Sequence, residues 1–359
     1  MNKIEKLSAK LDKNEAIILI KPENRRYFTG MTTSNGLLLV TSEQAWFFTD
    51  FRYIIAAKSI VAKPIIVSLF EGTHAATVKK TLHSLSEKIK RIYFEDTYLS
   101  FAAAKAFMEE MNDIEFVAGE ALVSILRREK SQDEINLISK AQSITDASFA
   151  DILDFISTNK NTGITEKDIA FELEFNMRRR GAESLAFDTI IASGTNGAYC
   201  HAVPSDKQIK SGEFITMDFG ACYGGYMSDM TRTVAIGDIS EDKEKIYDIV
   251  LNAQLNAINN IKAGLTGTQC DAFARDYISN EGYGDAFGHS LGHGVGLEIH
   301  EGPNFAKSFT GIINSNAVMS VEPGIYLENN CGVRIEDLVV VKETGVEVLT
   351  KSPKQLIKL

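Results

Sequence analysis

Cysteine is scarce and unpatterned in this chain: Cys200, Cys222, Cys270 and Cys331 form no Cys-x-x-Cys pair and no closely spaced framework. In 359 residues that argues against a disulfide-stapled secreted scaffold and for reduced thiols in a cytoplasmic protein. Long apolar runs are missing too. The run Ala16–Ile20 is far short of the roughly 20 residues a membrane span needs. The opening Met-Asn-Lys-Ile-Glu-Lys-Leu alternates charged and apolar residues and lacks the apolar core of a secretory signal. Clustered positive charge is also absent. The net charge is −10, and residues 1–120 hold 16 Lys+Arg against 15 Asp+Glu, whereas the rest hold 22 against 33. An acidic second part is no footprint for nucleic acid; most of the excess is ordinary solubilising surface. A soluble protein with neither a membrane nor a nucleic acid as partner is expected.

Apolar content of 44% and charged content of 24% are those of a globular protein, and the length suggests two domains. Residues 1–120 read as alternating α/β. A helix carries Ile4, Leu7 and Leu11; strands follow at Ala16–Ile20, Gly36–Thr41, Ala45–Thr49, Pro64–Leu69 and Arg91–Phe94, with helices near Ala75–Ile89 and Tyr98–Glu110. A charged stretch, Arg127–Ser131, leads into a long helix from Gln132 to Phe155, so the boundary is placed near residue 120. Lys167–Arg180 is a second helix, with Thr165 and Asp168 as a capping pair and Gly181 as its stop. Arg178–Arg180 read as its solvated last turn. A third helix spans Asp242–Lys262, and the other segments beyond Phe214 read as strands broken by glycines. Two strand-rich blocks, 213–236 and 317–341, each carry two acids of interest and hint at two related halves around one site.

Those acids dominate the functional reading. Asp218 lies in Met-Asp-Phe-Gly, Asp229 in Ser-Asp-Met-Thr-Arg, Glu322 in Val-Glu-Pro-Gly and Glu336 in Val-Arg-Ile-Glu-Asp; His293 lies in Gly-His-Gly-Val-Gly. Gly224-Gly225 is a two-residue hairpin signal. Its register puts residue 218 opposite 231 and makes Asp229 the diagonal neighbour of Asp218. Two inward carboxylates on otherwise apolar strands are expensive unless compensated, and a metal would compensate them. Four carboxylates and one imidazole form an oxygen-rich set able to hold two divalent ions, of the manganese, cobalt, iron or zinc type. Such a pair can clamp a hydroxide and bring the pKa of its water from 15.7 towards about 7. His289 and His293 share the i, i+4 spacing of zinc-protease helices, but Ser290 stands where that motif needs Glu, and the surrounding glycines disfavour a helix. His201, His289, His293 and His300 crowd this region, leaving only His74 and His83 elsewhere. Arg334, two residues before Glu336, shares its face in a strand and is placed to orient an acid.

With these words in view, the chain resembles the pita-bread metallopeptidases, in the branch of Xaa-Pro aminopeptidase (aminopeptidase P) and Xaa-Pro dipeptidase (prolidase). Asn24–Gly30, Ser34-Asn35-Gly36 and Thr49–Tyr53 resemble the creatinase-type N-terminal domain. The resemblance implies an α/β (α+β) protein: a creatinase-type domain over 1–120 and a pita-bread catalytic domain over 121–359. It implies that Asp218 binds one metal, His293 and Glu322 the other, and that Asp229 and Glu336 bridge them. It matches His201, His289 and His300 to substrate-side histidines and makes Glu322 the candidate proton shuttle. The implied activity is hydrolysis of the Xaa-Pro bond at peptide N-termini by a metal-bridging hydroxide, with two ions per chain, manganese foremost, and a homodimer. A dipeptidase is the alternative. Methionine aminopeptidase would lack the first domain, and a creatine hydrolase or a non-catalytic binding module should have lost ligands. The resemblance also carries a departure: prolidase-like members place an arginine four residues after the histidine matching His300, whereas Asn304 stands here.

Overall fold

The computed structural model describes residues 2–359 and divides into two compact units, one running to Arg127 and the other spanning Arg128–Leu359. Residue 120 begins the helix Glu120–Arg128, which is fastened within the first unit. Arg127 Nη1 donates to Asn24 Oδ1 at 2.7 Å, and the Tyr27 hydroxyl donates to the Leu126 carbonyl at 2.8 Å.

In the first unit, six strands form one mixed sheet. Their order is Ile66–Leu69, Ala45–Thr49, Gly36–Thr41, Glu15–Leu19, Arg91–Phe94 and Glu115–Ala118. The central strands Glu15–Leu19 and Gly36–Thr41 are buried along their whole lengths, as their unbroken apolar runs demand. Helix Pro22–Thr29 carries most of the Asn24–Gly30 motif. Its signals are Pro22 in the first turn and Gly30 beyond the end at φ 71°.

The second unit is built from two helix pairs, each packed against antiparallel strands. Helices Gln132–Asn159 and Glu166–Arg179 share a core with the sheet Ile190–Ser193, Glu213–Phe219 and Met230–Ile236. Ile144, Phe149, Ile152 and Ile156 face that sheet from the long helix, and Ile215, Met217 and Met230 meet them. Helices Glu241–Asn260 and Gly267–Asn280 cover strands that include Val318–Val321, Cys331–Arg334 and Asp337–Lys342.

Helix starts follow side-chain chemistry. Ser131 with Glu134, and Thr165 with Asp168, form reciprocal capping boxes. Helix Gly267–Asn280 corrects the strand reading of that stretch. Thr266 and Gln269 cap it, and Cys270, Ala274 and Ile278 line its buried side. The misleading residue is Gly267. It is there because a Cβ would run into the Asn304 carbonyl oxygen, a close approach rather than a helix break.

Arg232 and Asp337 form a buried ion pair of 2.8 Å beside the strands that carry the acids. Arg232 also donates to the carbonyls of Glu336, Ser352 and Pro353, while Lys354 Nζ reaches Asp337 Oδ2 at 2.7 Å. Removing one partner of such a pair costs about 3–5 kcal/mol. Arg232→Met is therefore expected to lower the melting temperature of the metal-free protein by roughly 6–20 °C. A shift under about 3 °C in a thermal melt would show that the network contributes little.

Candidate metal centre

The hairpin sets the first two acids. Tyr223 pairs with Tyr226 across Gly224-Gly225, whose φ angles of 59° and 79° suit the primed turn. In the same register Asp218 faces Thr231. The ladder breaks at Gly220 and Ser228–Asp229. There the Ser228 hydroxyl accepts from Ala221 N at 2.9 Å, and a Cβ on Gly220 would strike the Ser228 carbonyl. Asp229 lies in that break, two residues before Thr231.

His293 lies in the short strand Gly292–Gly294, and its N–H donates to Ser320 Oγ at 3.0 Å. That hydroxyl in turn donates to Glu322 Oε1 at 3.1 Å, so one serine spaces the histidine from the acid. Glu336 follows strand Cys331–Arg334, and its N–H donates to the Thr231 carbonyl at 3.1 Å.

All five side chains line one cavity of about 390 Å³, together with His201, His289, His300, Asn304 and Arg334. Ligand atoms of Asp229, His293 and Glu336 lie within 4.8 Å of one another. His293 Nε2 is 3.6 Å from Asp229 Oδ2 and 3.3 Å from Glu322 Oε1.

This collection is costly without a cation. Burial, and then the neighbouring Glu336, Asp218 and Glu322, hold Asp229 well above the usual carboxylate range. Burial and then Glu322 and Asp218 do the same to Glu336, and Asp218 is raised as well, chiefly by burial. Asp218 Oδ1 and Glu336 Oε1 are buried without any hydrogen-bond partner. Unpaired buried carboxylate oxygens converging on a cavity fit divalent cations, which would offset both the desolvation and the repulsion.

Arg334 makes the second ring of contacts. Its Nη2 donates to Asp218 Oδ2 at 2.6 Å, and its Nε to Thr231 Oγ1 at 3.0 Å. Thr231 Oγ1 then donates to Glu336 Oε2 at 2.7 Å, so Arg334 orients Asp218 directly and Glu336 through the threonine. Arg334 Nη1 donates to the Tyr326 hydroxyl at 2.8 Å, and that hydroxyl lies 2.8 Å from His289 Nε2. His289 Nδ1 is 2.8 Å from the Ser290 carbonyl, which can only accept. The neutral ring therefore carries its proton on Nδ1, and Nε2 accepts from Tyr326. Burial lowers the His289 pKa and keeps the ring neutral. Both ring nitrogens of His289, matched above to a substrate-side histidine, are thus engaged by the protein.

His201 is exposed at the rim, and His300 sets its ring edge-on to His293 with centroids 4.3 Å apart. Thr231 was legible as the residue opposite Asp218 in the hairpin register. Tyr326 was not, because nothing in its spacing marks it.

Buried acids and one imidazole, gathered at the meeting of two helix-backed sheets, define a metal-dependent hydrolase. Residues 136–343 match the model of metallopeptidase family M24, and residues 3–128 match the creatinase/prolidase N-terminal domain. The chain belongs to family M24, with the pita-bread fold of its Xaa-Pro peptidases. It is 35% identical to a Xaa-Pro dipeptidase of Pyrococcus furiosus, with 99% of each chain covered. The solved Xaa-Pro dipeptidase from Bacillus anthracis superposes with a TM-score of 0.94 at 43% identity, covering 99% of both chains. An X-Pro aminopeptidase structure from Thermotoga maritima MSB8 superposes at 0.89 with 38% identity, covering 98% of this chain and 99% of that one.

Proposed function

We propose that the chain is an Xaa-Pro aminopeptidase, cutting the bond before a proline at the second position of a peptide. The observation that carries the substrate-length reading is the charge of the cavity wall. Among the described residues lining it, the sole lysine or arginine is Arg334, which is committed to Asp218. Asn304 stands exposed on the same wall, opposite His293 in the strand pair. A dipeptide would bring its terminal carboxylate close to the scissile bond, where no free guanidinium meets it. A longer peptide carries no charge at that point.

In this reading Asp218, Asp229, His293, Glu322 and Glu336 hold two divalent ions per chain, manganese foremost given the oxygen-rich donors. Such ions supply Lewis acidity and a nucleophile from water at neutral pH. As a ligand Glu322 would be held as the carboxylate, the form that binding of a divalent cation requires. Its carboxylate takes the proton released by the attacking water and passes it to the departing proline nitrogen. The C–O bond forms first and places negative charge on the former carbonyl oxygen; the C–N bond then breaks as its nitrogen takes up the proton. His201 and His300 are placed to donate to the carbonyl oxygen as it gains charge, while His289, engaged by Ser290 and Tyr326, holds the wall. Four cysteines outside any disulfide suit a cytoplasmic setting. Among the described residues no helix is long and apolar enough to cross a membrane. A two-fold homodimer completes the proposal, and a concentration-independent monomer in sedimentation would remove that part.

The test is manganese-supplemented hydrolysis of Xaa-Pro, Xaa-Pro-Yaa, Met-Ala-Ser and creatine. Xaa-Pro-Yaa should be cut at least as well as Xaa-Pro. Asn304→Arg should raise dipeptide kcat/KM about tenfold or more, since a charged hydrogen bond contributes about 1.5–3 kcal/mol. A strong preference of the unmodified protein for dipeptides would favour the second reading, a dipeptidase, which the names of two of the relatives above support. His201→Ala should leave metal content intact and lower turnover by roughly 10²-fold, the typical loss of one oxyanion donor. Loss of metal on this substitution would instead make His201 a ligand.

A further inference from the structure

Glu166 opens helix Glu166–Arg179 and is fully buried, yet its carboxylate serves no helix-capping box; Asp168 does that. Its Oε1 accepts from Ser193 N at 2.7 Å and from Ser193 Oγ at 2.8 Å. Its Oε2 accepts from Ser205 N at 3.1 Å and Ser205 Oγ at 2.6 Å. The Asn196 amide donates to both oxygens at 3.1 Å. Backbone bonds reinforce the junction, from Glu166 N to the Lys207 carbonyl at 3.1 Å and from Lys167 N to that of Ser205 at 3.2 Å. Hydrogen bonds to an ionised acceptor are about twice as strong as neutral ones, and the helix N-terminus favours the charge.

Ser193 ends strand Ile190–Ser193, and Ser205 closes the loop that follows, so one carboxylate grips both the entry and the exit. Between them the chain makes a short 3-10 turn, Gly194–Ala198, and then carries Cys200 and His201 to the cavity wall. The tip has little packing of its own: Tyr199 is 68% and Val203 81% exposed. One further tie is the bond from Arg334 Nη1 to the Cys200 carbonyl, at 3.3 Å.

We propose that Glu166 is a positioning residue for His201: by clamping the loop base it fixes the height of the imidazole over the reacting carbonyl. The consequence for catalysis rests on the reading above, in which His201 meets the substrate. In Glu166→Gln one oxygen becomes an N–H donor, which must face the donors of either Ser193 or Ser205, so one side of the clamp opens. A misplacement of about 1 Å can cost as much as 10²-fold in rate.

The test pairs two readouts. With metal bound, Glu166→Gln should lower kcat/KM by about ten- to a hundredfold without changing metal content. Combined with His201→Ala it should add almost nothing, because both act through one group. Without metal, Cys200 should react faster with a thiol reagent, while the buried Cys222, Cys270 and Cys331 stay protected. Additive losses in the double variant, or unchanged Cys200 reactivity, would overturn the proposal. If His201→Ala alone leaves turnover intact, the substrate role of His201 is wrong, and the thiol readout still decides whether Glu166 holds the loop. Should Glu166→Gln expose all four thiols by unfolding, Ser205→Ala, which removes one hydroxyl from the exit side, carries the same two measurements.

Discussion

Asp229→Ala is expected to abolish peptide hydrolysis and to bring bound metal below two ions per chain. If Asp229 is shared by two ions, as the resemblance implies, its loss should cost more than the roughly 10–100-fold that loss of a supporting partner costs. The same substitution should act in the opposite direction on the metal-free protein. Asp229 is fully buried, and its ionised form is opposed by burial and by Glu336, Asp218 and Glu322. Removing it relieves that repulsion, so the metal-free variant should melt no lower than the parent at neutral pH, while the metal-loaded variant melts lower than the loaded parent. Metal analysis, turnover and paired thermal melts read all of this. A variant that keeps full turnover and two ions would remove Asp229 from the site.

The hairpin shows how far local patterning reaches. Two glycines with alternating apolar strands specify the turn, the turn specifies the register, and the register places Thr231 opposite Asp218. Glu322 and Glu336 differ. Each sits just beyond a strand end, and their approach to Asp229 depends on separate sheets meeting, which no local period encodes. Their local words marked them as candidate donors, but spacing could not show which of them meet. The contacts of His289 were likewise out of reach, because Tyr326 lies in a different strand and its bond to the imidazole is a product of packing. Helix Gly267–Asn280 was hidden for a third reason. Gly267 is present for its missing side chain, beneath the Asn304 carbonyl, and the same residue lowers helix propensity. The long helix from Gln132 needed none of this. Its cap and its apolar stripe are both local, and only its end, at Asn159 rather than Phe155, lay beyond the expected range.

The stabilisation given by added metal is expected to grow with pH. In the metal-free protein Asp229 and Glu336 are held well above their ordinary values of 3.8 and 4.5, by burial first and then by their acidic neighbours. His293 is raised too: burial lowers it most, but the bond to Glu322, the charges of Glu322 and Asp218 and the Gly294 carbonyl together outweigh that. For all three the folded pKa exceeds the unfolded one. The stability they contribute is therefore complete below the unfolded values and is lost as pH rises through the folded ones. Glu322 has the opposite sign, but its folded value of about 2 against 4.5 confines the change to acid. Between about pH 5 and pH 8 the melting temperature of the metal-free protein should consequently fall on account of these groups. Metal binding requires the same groups deprotonated, so affinity climbs across that range and protons are released on binding. A ligand at a hundred times its Kd adds about 2.7 kcal/mol, and each displaced proton makes that excess easier to reach at higher pH. Melts of the metal-free and manganese-loaded protein, taken in matched buffers across the range, should diverge steadily towards pH 8. A gap that stays constant or narrows would mean that Asp229, Glu336 and His293 are not the groups that give up protons to the metal.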